Sequence, residues 1–518
     1  MRATSLGHAG ILIETAHGSI LCDPWFVPAF FGSWFVFPRN DQLPDDLRVR
    51  IERPDYLYIS HLHGDHLDAA FLAEHVDRHT TVLLPGFPTG ELQRRLRSLG
   101  FRRFVVTGDG EPVSLGGLVV AIHVETSITD GPGGDSALVV SDGECRLMNQ
   151  NDCRLNDLSA VTRHGPVDMQ WLQYSGAIWY PMVYDEPEEV KRELATAKVE
   201  SQFGRALRYV EAVGARVVVP SAGPPCFLDP DLFGLNVVAG DEISIFPDAT
   251  AFLERLRKDG IDTGVLAIPG TTIDVTSDTI TVDQPVPDDD LGAIFADKGA
   301  YLRRYQRDWT PWLDQLKSTW PAPQPDLADR LAAWWEPLLD AAPTLSAAID
   351  APCLIRSGDE DVIVDFRAGT VRSHAGEPYA FSFDLPRPLV EQVVAERAVD
   401  WSNSLFLSLR FRAWRAGEFN EYLYNFFKSL SPERMARANA EAAARRAPEH
   451  EPAEEIELGG YVMERYCPHR RADLSIFGEV DDGVLTCALH GWQFDLETGE
   501  CLTSDDRHLR VRRAEPAS

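Results

Sequence analysis

The sequence has few of the features that mark a nucleic-acid-binding, membrane or secreted protein. Its 518 residues include 49 lysines and arginines against 80 aspartates and glutamates, a formal net charge of −31. Phosphate groups bind to basic surfaces, so this balance argues against DNA, RNA or an anionic membrane as the main partner. No run of about 18 apolar residues occurs, and the opening MRATSLGHAG lacks a basic and then apolar leader. We therefore predict a soluble, cytoplasmic protein that acts on a small molecule.

Cysteine is sparse and scattered. The eight cysteines are Cys22, Cys145, Cys153, Cys226, Cys353, Cys467, Cys487 and Cys501. A secreted disulfide scaffold is short and dense in cysteine, so we expect reduced thiols in this chain. A length of 518 residues predicts about three domains of ordinary size. We place them at residues 1–285, 286–445 and 446–518.

Histidine is also scarce, with 14 residues, yet three of them fall in the segment HLHGDH at 61–66. An apolar run before this segment predicts a buried strand that delivers it at the strand's carboxyl end. His61 and His63 point the same way in an extended chain, and Asp65 and His66 follow the glycine turn. Three imidazoles and a carboxylate suit Zn²⁺ or Fe²⁺. A surface loop with scattered histidines is the alternative.

Three stretches of this region, LGHAGILIET, LCDPWF and YISHLHGDHL, resemble the metallo-β-lactamase superfamily. The closer resemblance is to its branch with the ascorbate-lactonase-like enzymes and CMP-N-acetylneuraminate hydroxylase. It implies an αββα sandwich that holds metal at one edge, between two sheets. It also implies four metal ligands, of which the last two are expected to be catalytic as well: His61, His63, Asp65 and His66. His8 and Asp23 would lie near this site, in either a functional or a structural role.

The same resemblance implies further ligands. The segment NQNDC is similar to an Asn-x-x-Asp-Cys segment of the hydroxylase and makes Asp152 a carboxylate ligand, which could bridge two metals. His123, at the end of a predicted strand, is a candidate for the next ligand, in competition with Glu125 and Asp130. Where the hydroxylase has a histidine six residues after Pro-x-Ala-Gly, this chain has Asp229. A site richer in carboxylates favours iron over zinc.

A second and more specific metal motif lies near the C-terminus. Cys467-Pro468-His469 and Cys487-Ala488-Leu489-His490 are separated by seventeen residues. Two thiolates for one iron and two imidazoles for the other are the ligand set of a Rieske [2Fe-2S] centre. The following GWQFD resembles the Rieske domains of oxygenases, and the disulfide of high-potential Rieske domains cannot form here, so we expect a low-potential centre. A zinc ribbon, the alternative, usually has Cys-x-x-Cys pairs at both ends.

Residues 286–445 show no ligand pattern. Short strands from 351 onward, the last expected near 405–411, and a helix near 388–397 weakly resemble a sterol-carrier-protein-2-like module. This resemblance implies either an apolar cleft or a spacer, and we favour the spacer. The charged stretch 432–455 is interpreted as a flexible linker. Arg205 and Arg208 lie on a long predicted helix and face either an anionic substrate or solvent, with solvent favoured.

Together the modules predict an α+β protein with three parts: a metallo-β-lactamase sandwich, a middle α/β domain and an all-β Rieske domain. A Rieske cluster passes single electrons and makes no bonds itself, whereas a metal hydrolase needs no electrons. We therefore predict an O₂-dependent oxygenase, similar to CMP-N-acetylneuraminate hydroxylase, with one or two non-haem iron ions in the N-terminal site.

The partners follow from this chemistry. Electrons would come from a reductase, a ferredoxin or a cytochrome b5-type carrier, and the substrate would be small and could be anionic. A homo-oligomer that passes electrons between subunits is also expected. Two other interpretations stay open: a zinc hydrolase of lactonase or phosphodiesterase type with a regulatory or vestigial Rieske domain, and a non-catalytic electron carrier or redox sensor.

Overall fold

The computed structural model describes residues 1–128, 131, 133–176, 178–238, 242–417, 419–446, 454–503 and 507–514. The N-terminal domain has strands β1 (Arg2–Gly7), β2 (Gly10–Thr15), β3 (Gly18–Cys22), β4 (Tyr56–Tyr58), β5 (Thr81–Leu84), β6 (Arg103–Val106), β7 (Val113–Leu115), β8 (Leu118–Glu125), β9 (Asp135–Ser141), β10 (Arg146–Asn151), β11 (Met169–Gln173), β12 (Val217–Ser221), β13 (Thr272–Val275) and β14 (Ile280–Asp283). Its helices are α1 (Asp45–Glu52), α2 (Ala69–Glu74), α3 (Glu91–Ser98), α4 (Ser159–Thr162), α5 (Glu188–Val213) and α6 (Ala249–Lys258).

These strands form two sheets that face each other. One has the order β14-β13-β1-β2-β3-β4-β5-β6, and the other has the order β12-β11-β10-β9-β8-β7. The alternation of a strand sends Ile11 and Ile13 of β2 into the core between the sheets, and Leu12 into the core beneath helices α1 to α3. Helices α5 and α6 cover the outer face of the second sheet. The predicted αββα sandwich is confirmed.

Strand ends from both sheets meet at one edge of the sandwich. β3 and β4 are parallel neighbours, so Asp23 and His61 follow them on the same side. In the facing sheet, β9 begins at Asp135 and β10 ends immediately before Asp152. Residues far apart along the chain are thereby brought to one place.

The middle domain consists of a five-stranded sheet packed against helices. Its elements are α7 (Asp288–Ala296), α8 (Lys298–Ser318), α9 (Leu327–Ala341), α10 (Pro343–Ile349), β15 (Pro352–Ser357), β16 (Glu360–Asp365), β17 (Thr370–Ser373), β18 (Phe381–Asp384), α11 (Arg387–Ala395), β19 (Arg412–Arg415), α12 (Glu421–Lys428) and α13 (Pro432–Arg446). Its aromatic core continues into the N-terminal domain, because Phe30, Trp34 and Trp179 belong to the same buried cluster as Trp335 and Phe427.

The C-terminal domain contains two small antiparallel sheets. Its elements are β20 (Glu455–Leu458), β21 (Tyr461–Glu464), α14 (Leu474–Phe477), β22 (Gly478–Asp481), β23 (Val484–Cys487), β24 (Trp492–Asp495) and β25 (Val511–Arg513). Helix α14 docks on α5: the rings of Tyr209 and Phe477 pack edge to face at 5.4 Å. Arg208 donates a hydrogen bond of 2.7 Å to the carbonyl of Ile476 and also contacts Glu479. An apolar interface thus fixes this domain on the sandwich.

The solvent-exposed stripe predicted for Arg205 and Arg208 is wrong for both arginines of α5. Arg205 is buried, with 6% of its surface exposed. Arg208 helps to hold the C-terminal domain, because its guanidinium is bonded to the carbonyl of Ile476.

Two sequence-based predictions are corrected here. Residues 432–446 form helix α13, whose Met435 and Ala438 are buried and whose Arg434 pairs with Glu91 of the N-terminal domain, so this stretch is not a flexible linker. Residues 447–453 lie outside the described ranges. The strand expected near 405–411 is instead a 3₁₀ turn at Phe406–Ser408, and the strand follows at β19. No helix within the described ranges is long and apolar enough to cross a membrane.

Candidate metal centres

His66 lies at the centre of a buried hydrogen-bond network. Its Nδ1 is 3.0 Å from Oδ2 of Asp23, and that carboxylate also accepts hydrogen bonds from the backbone N–H and the hydroxyl of Ser60, at 2.8 and 2.6 Å. His66 and Asp23 are fully buried. A carboxylate on one imidazole nitrogen orients the ring so that the other nitrogen can bind metal. Nε2 of His66 is the atom left for that purpose.

The polar edge of the sandwich contains two groups of three potential metal ligands. The first is His61, His63 and Asp152; the second is His8, Asp65 and His66, and in each group the ligand atoms lie within 4.8 Å of one another. Nε2 of His8 is 3.1 Å from Oδ2 of Asp65. Between the groups, Nε2 of His66 is 3.5 Å from Oδ2 of Asp152. The arrangement brings together candidate ligands for two adjacent cations.

The protonation states of His63 and Asp65 and the unsatisfied atoms of this edge suit metal. Burial, with the neighbouring charge of His61, lowers the pKa of His63 to about 3, so its imidazole is a neutral ligand. Burial opposes ionisation of Asp65, yet His66 and His8 lower the pKa of that carboxyl to about 2. Oδ1 of Asp65, Nε2 of His66 and Oδ1 of Asp152 are buried and make no hydrogen bond to a described residue. Buried polar atoms normally have partners, and a cation would supply them here.

His8 and Asp23 also adopt unusual backbone conformations. Their φ angles are 52° and 40°, and Asn151, which precedes Asp152, has a φ of 46°. Left-handed backbone at residues other than glycine is strained and tends to occur at functional sites. The sequence left the roles of His8 and Asp23 open. The structure places His8 among the candidate ligands and Asp23 in contact with Nδ1 of His66.

Asp135 is a candidate ligand that the sequence analysis missed. Its Oδ1 is 3.3 Å from Nδ1 of His61, and burial raises the pKa of its carboxyl, although His61 opposes that shift. The available signal was a carboxylate at the start of the apolar strand β9, directly after two glycines.

Three other predicted ligands lie elsewhere. Nε2 of His123 is 3.0 Å from Nε2 of His164, and Glu125 accepts hydrogen bonds from Asn156. Asp229 pairs with Lys317 at 2.5 Å and with Arg410 at 2.8 Å. The structure does not bring any of them into either group of ligands. Asp130 lies outside the described residues.

The C-terminal motif converges as its spacing predicts. Cys467 and Cys487 are buried and their thiols contact each other, and the rings of His469 and His490 are 5.0 Å apart. Burial lowers the pKa of His469 to about 3, although Glu421 opposes that shift, so the imidazole is neutral. Nδ1 of His469 makes no hydrogen bond to a described residue. The donor set therefore fits a [2Fe-2S] cluster with two thiolate and two imidazole ligands.

A cavity of about 180 Å³ lies against the N-terminal ligands. His63, Asp65 and Asp152 form part of its wall, beside Trp34 and Trp179. The middle domain contributes further lining residues, which include Leu407, Glu421, Tyr424 and Lys428. The middle domain therefore helps to enclose this cavity, and the preference for a spacer is wrong.

Glu421 connects the cavity with the C-terminal centre. Its Oε2 is 3.4 Å from Nε2 of His469, and the same side chain lines the cavity. Burial opposes its ionisation, but His469 and Arg445 hold the pKa of the carboxyl well below its usual range. The sequence offered no local signal for this role, because Glu421 precedes His469 by 48 residues and belongs to another domain.

Comparison with known proteins assigns two of the three regions. Residues 455–510 match the Rieske [2Fe-2S] domain, and residues 327–444 match the Rv3818-like, SCP2-like domain. The predicted resemblance of the middle region to a sterol-carrier-protein-2-like module is thereby confirmed. Helix α13 falls almost entirely within the second match.

Solved structures with similarity to the chain include Igni18, a metallo hydrolase from Ignicoccus hospitalis, and CmlA, a diiron β-hydroxylase from Streptomyces venezuelae. Igni18 is 18% identical and has a TM-score of 0.37, covering 55% of this chain and 98% of its own. CmlA is 19% identical and has a TM-score of 0.34, covering 55% of this chain and 54% of its own.

Full-length relatives occur in mycobacteria. A Mycolicibacterium smegmatis protein is 44% identical over 99% of this chain and 100% of its own length, and Rv3818 of Mycobacterium tuberculosis gives the same three values. The names of both describe a Rieske 2Fe-2S iron-sulfur protein and state no activity. Cytidine monophosphate-N-acetylneuraminic acid hydroxylase of Sus scrofa is 33% identical over 76 residues, 14% of this chain and 17% of its own. The chain belongs to the family of these mycobacterial Rieske 2Fe-2S iron-sulfur proteins.

Proposed function

We propose that this protein is an oxygenase of a small substrate that occupies the cavity beside His63. When bound, the C-terminal cluster would supply single electrons and non-haem iron in the N-terminal site would supply O₂ chemistry. The observation that carries the proposal is that one cavity is lined both by N-terminal ligands and by Glu421, which contacts the Rieske ligand His469.

Each centre would be held by residues that the structure brings together. His61, His63 and Asp152 would hold one iron ion, and His8, Asp65 and His66 a second, with Asp135 available to the first. Carboxylates mixed with imidazoles favour iron over zinc. Cys467, His469, Cys487 and His490 would hold the cluster.

The chain's own side chains would perform four tasks. Asp23 fixes the His66 ring, so that Nε2 faces Asp65 and Asp152. Trp34, Trp179 and Tyr424 exclude water from the substrate. Glu421 holds the His469 ring by its Nε2 and leaves Nδ1 for the cluster. A hydrolase would need no contact between an electron-transfer domain and its substrate cavity, and this favours the oxygenase.

The proposal is tested by the reoxidation of the cluster. The full-length protein is reduced anaerobically with dithionite, mixed with O₂, and followed by its visible and EPR spectra, with iron and zinc measured separately. We expect non-cluster iron, and we expect His63→Ala to suppress O₂-dependent reoxidation. Glu421→Gln should slow it by about 10- to 100-fold, the range seen when a residue that orients a metal ligand is lost. Glu433→Gln, which removes an exposed carboxylate of α13, is the matched control.

Two results would contradict the proposal. Zinc in place of iron in the N-terminal site would favour the hydrolase. Equal reoxidation rates in wild type and His63→Ala would show that electrons do not pass to that site.

A further inference from the structure

A second cavity reaches the candidate metal ligands at His8. Its volume is about 40 Å³, and its wall includes His8, Trp171 and Ser221. Among the described residues, it has no lining residue in common with the cavity beside His63. The two cavities therefore approach the candidate ligands separately, one at His63 and the other at His8.

This second cavity, which we call the His8 cavity, extends from the interior to the surface. Trp171 and Ser221 on its wall are 1% and 5% exposed. Phe37 and Asp248, which also line it, are partly exposed. Asp248 pairs with Lys298 at 2.6 Å, so the partly exposed portion of the wall includes a charged carboxylate. A cavity bordered by both kinds of residue leads from solvent into the sandwich.

Two buried polar groups on this wall are unsatisfied. Nε1 of Trp171 and the hydroxyl of Ser221 make no hydrogen bond to any residue in the described ranges. Buried polar groups are normally satisfied by protein or by ordered water. One water needs roughly 10 to 15 Å³ of such volume, so a cavity of about 40 Å³ holds more than one. The His8 cavity thus has both the room and the polar partners that ordered water requires.

The backbone places these two groups beside His8. Trp171 of β11 pairs with Val219 of β12, and Ser221 follows two residues later on the same inner face of the sheet. The N–H of Ala222 then donates a hydrogen bond of 2.9 Å to the carbonyl of His8. Sheet pairing and this hydrogen bond therefore hold Trp171, Ser221 and His8 around one cavity.

We propose that the His8 cavity binds ordered water on Trp171 and Ser221, and that it connects solvent with the ligand group of His8, Asp65 and His66. Two polar groups favour water over an apolar gas, since cavities that stay dry and bind xenon are lined by apolar side chains.

The use of this water rests on the proposed function. When a substrate RH is hydroxylated by O₂, its C–H bond and the O–O bond break and a C–O bond forms. Two electrons, delivered by the reductase or ferredoxin through the cluster, and two protons are consumed, and the second oxygen atom leaves as water. While substrate fills the cavity beside His63, the His8 cavity stays open to bring protons and to remove that water.

The first test is crystallographic and uses the full-length, metal-loaded protein. We expect ordered water within about 3.2 Å of Nε1 of Trp171 or of Oγ of Ser221. A second crystal, pressurised with xenon, should hold no xenon in this cavity. Xenon in place of water, or no water bonded to either atom, would overturn the inference.

The second test measures how fast solvent reaches Trp171. The N-terminal site is loaded with zinc to keep the NMR signals sharp, and the exchange of indole N–H groups with D₂O is followed, with Trp171→Phe for assignment. Trp335 is the matched control: its buried Nε1 also makes no hydrogen bond to a described residue, but it lies in the aromatic core of the middle domain. Trp171 should exchange at least about tenfold faster, because Trp335 exchanges only after local opening of that core.

A pair of serine variants tests the role of the cavity wall. Ser221→Val should slow the exchange of Trp171, because methyl groups replace the hydroxyl and occupy the space of a water. Ser357→Val is the control, since Ser357 is a buried serine of the middle domain whose hydroxyl likewise makes no hydrogen bond to a described residue. If Ser221→Val does not fold, Ser221→Ala replaces it and should lose the water at Oγ in its crystal structure.

Equal exchange of Trp171 and Trp335, or equal effects of Ser221→Val and Ser357→Val, would overturn the inference. Because the exchange is measured with zinc, it does not depend on O₂ chemistry. Fast exchange at Trp171 without O₂-dependent reoxidation of the cluster would refute the oxygenase and leave the water site in place. Reoxidation in a protein whose His8 cavity is dry would do the reverse.

Discussion

The two candidate metal centres differ in how far apart their ligands lie along the chain. The C-terminal ligands all lie between Cys467 and His490, in one stretch after β21 and another at the end of β23. The N-terminal ligands extend from His8 to Asp152 and come from both sheets of the sandwich. A compact ligand set is recognisable as a motif, whereas a dispersed one depends on how sheets pair and pack.

The largest effect is expected from a substitution that removes a ligand of the C-terminal centre alone. Cys487→Ser should eliminate the Rieske EPR signal and all O₂-dependent turnover, because a [2Fe-2S] cluster requires both thiolates. Non-cluster iron should stay, since its ligands lie in another domain. Cys501→Ser, in the same domain, is the control and should keep the signal. A normal Rieske spectrum in Cys487→Ser would refute the ligand assignment.

The converse substitution removes a ligand of the N-terminal centre, whose ligands are dispersed along the chain. His63→Ala should remove non-cluster iron and leave the Rieske signal intact, as measured by metal analysis and EPR on the same sample. Joint loss of both signals would mean that the N-terminal domain does not fold without its metal.

Mixing these two variants tests whether the centres cooperate within one chain. The contact between Glu421 and His469 is intramolecular, so a mixture of Cys487→Ser and His63→Ala should stay inactive even after subunit exchange. Recovered activity would instead support the expectation, drawn from the sequence, that electrons cross between subunits of a homo-oligomer.

A smaller effect on metal content distinguishes His8, in the second group of candidate ligands, from His123, which lies outside both groups. His8→Ala should release one of the two non-cluster metal ions, because it deprives Asp65 and His66 of their partner ligand. His123→Ala should leave the metal content unchanged, since His123 pairs with His164. The measurement is the number of non-cluster metal ions per chain. Loss of metal in His123→Ala would show that His123 is a ligand after all.

The smallest effect concerns the docking of the Rieske domain. Arg208→Gln removes the hydrogen bond to Ile476 and should lower the free energy of unfolding by about 1 kcal/mol. The contact with the more exposed Glu479 adds little. Urea unfolding monitored by the cluster absorbance measures the change, and no shift in its midpoint would mean that apolar contacts alone hold the interface.

Much of the architecture was predictable because it depends on local patterns. The stretches LGHAGILIET and YISHLHGDHL implied the sandwich through their resemblance to the metallo-β-lactamase superfamily, and the Cys/His spacing indicated the Rieske domain. The weaker resemblance of the middle region was also confirmed. One error arose where composition was taken as a guide to mobility: the charged stretch at 432–446 forms a helix whose apolar face is buried.

The ligand sets show where sequence reasoning stops. Residues 61–66 and the four Rieske ligands are close neighbours in the chain, so their convergence follows from short-range geometry. His8, Asp135 and Glu421 are recruited over long sequence separations by sheet pairing and domain docking. No local pattern records such contacts, because their energy comes from packing between surfaces that exist after the domains have assembled.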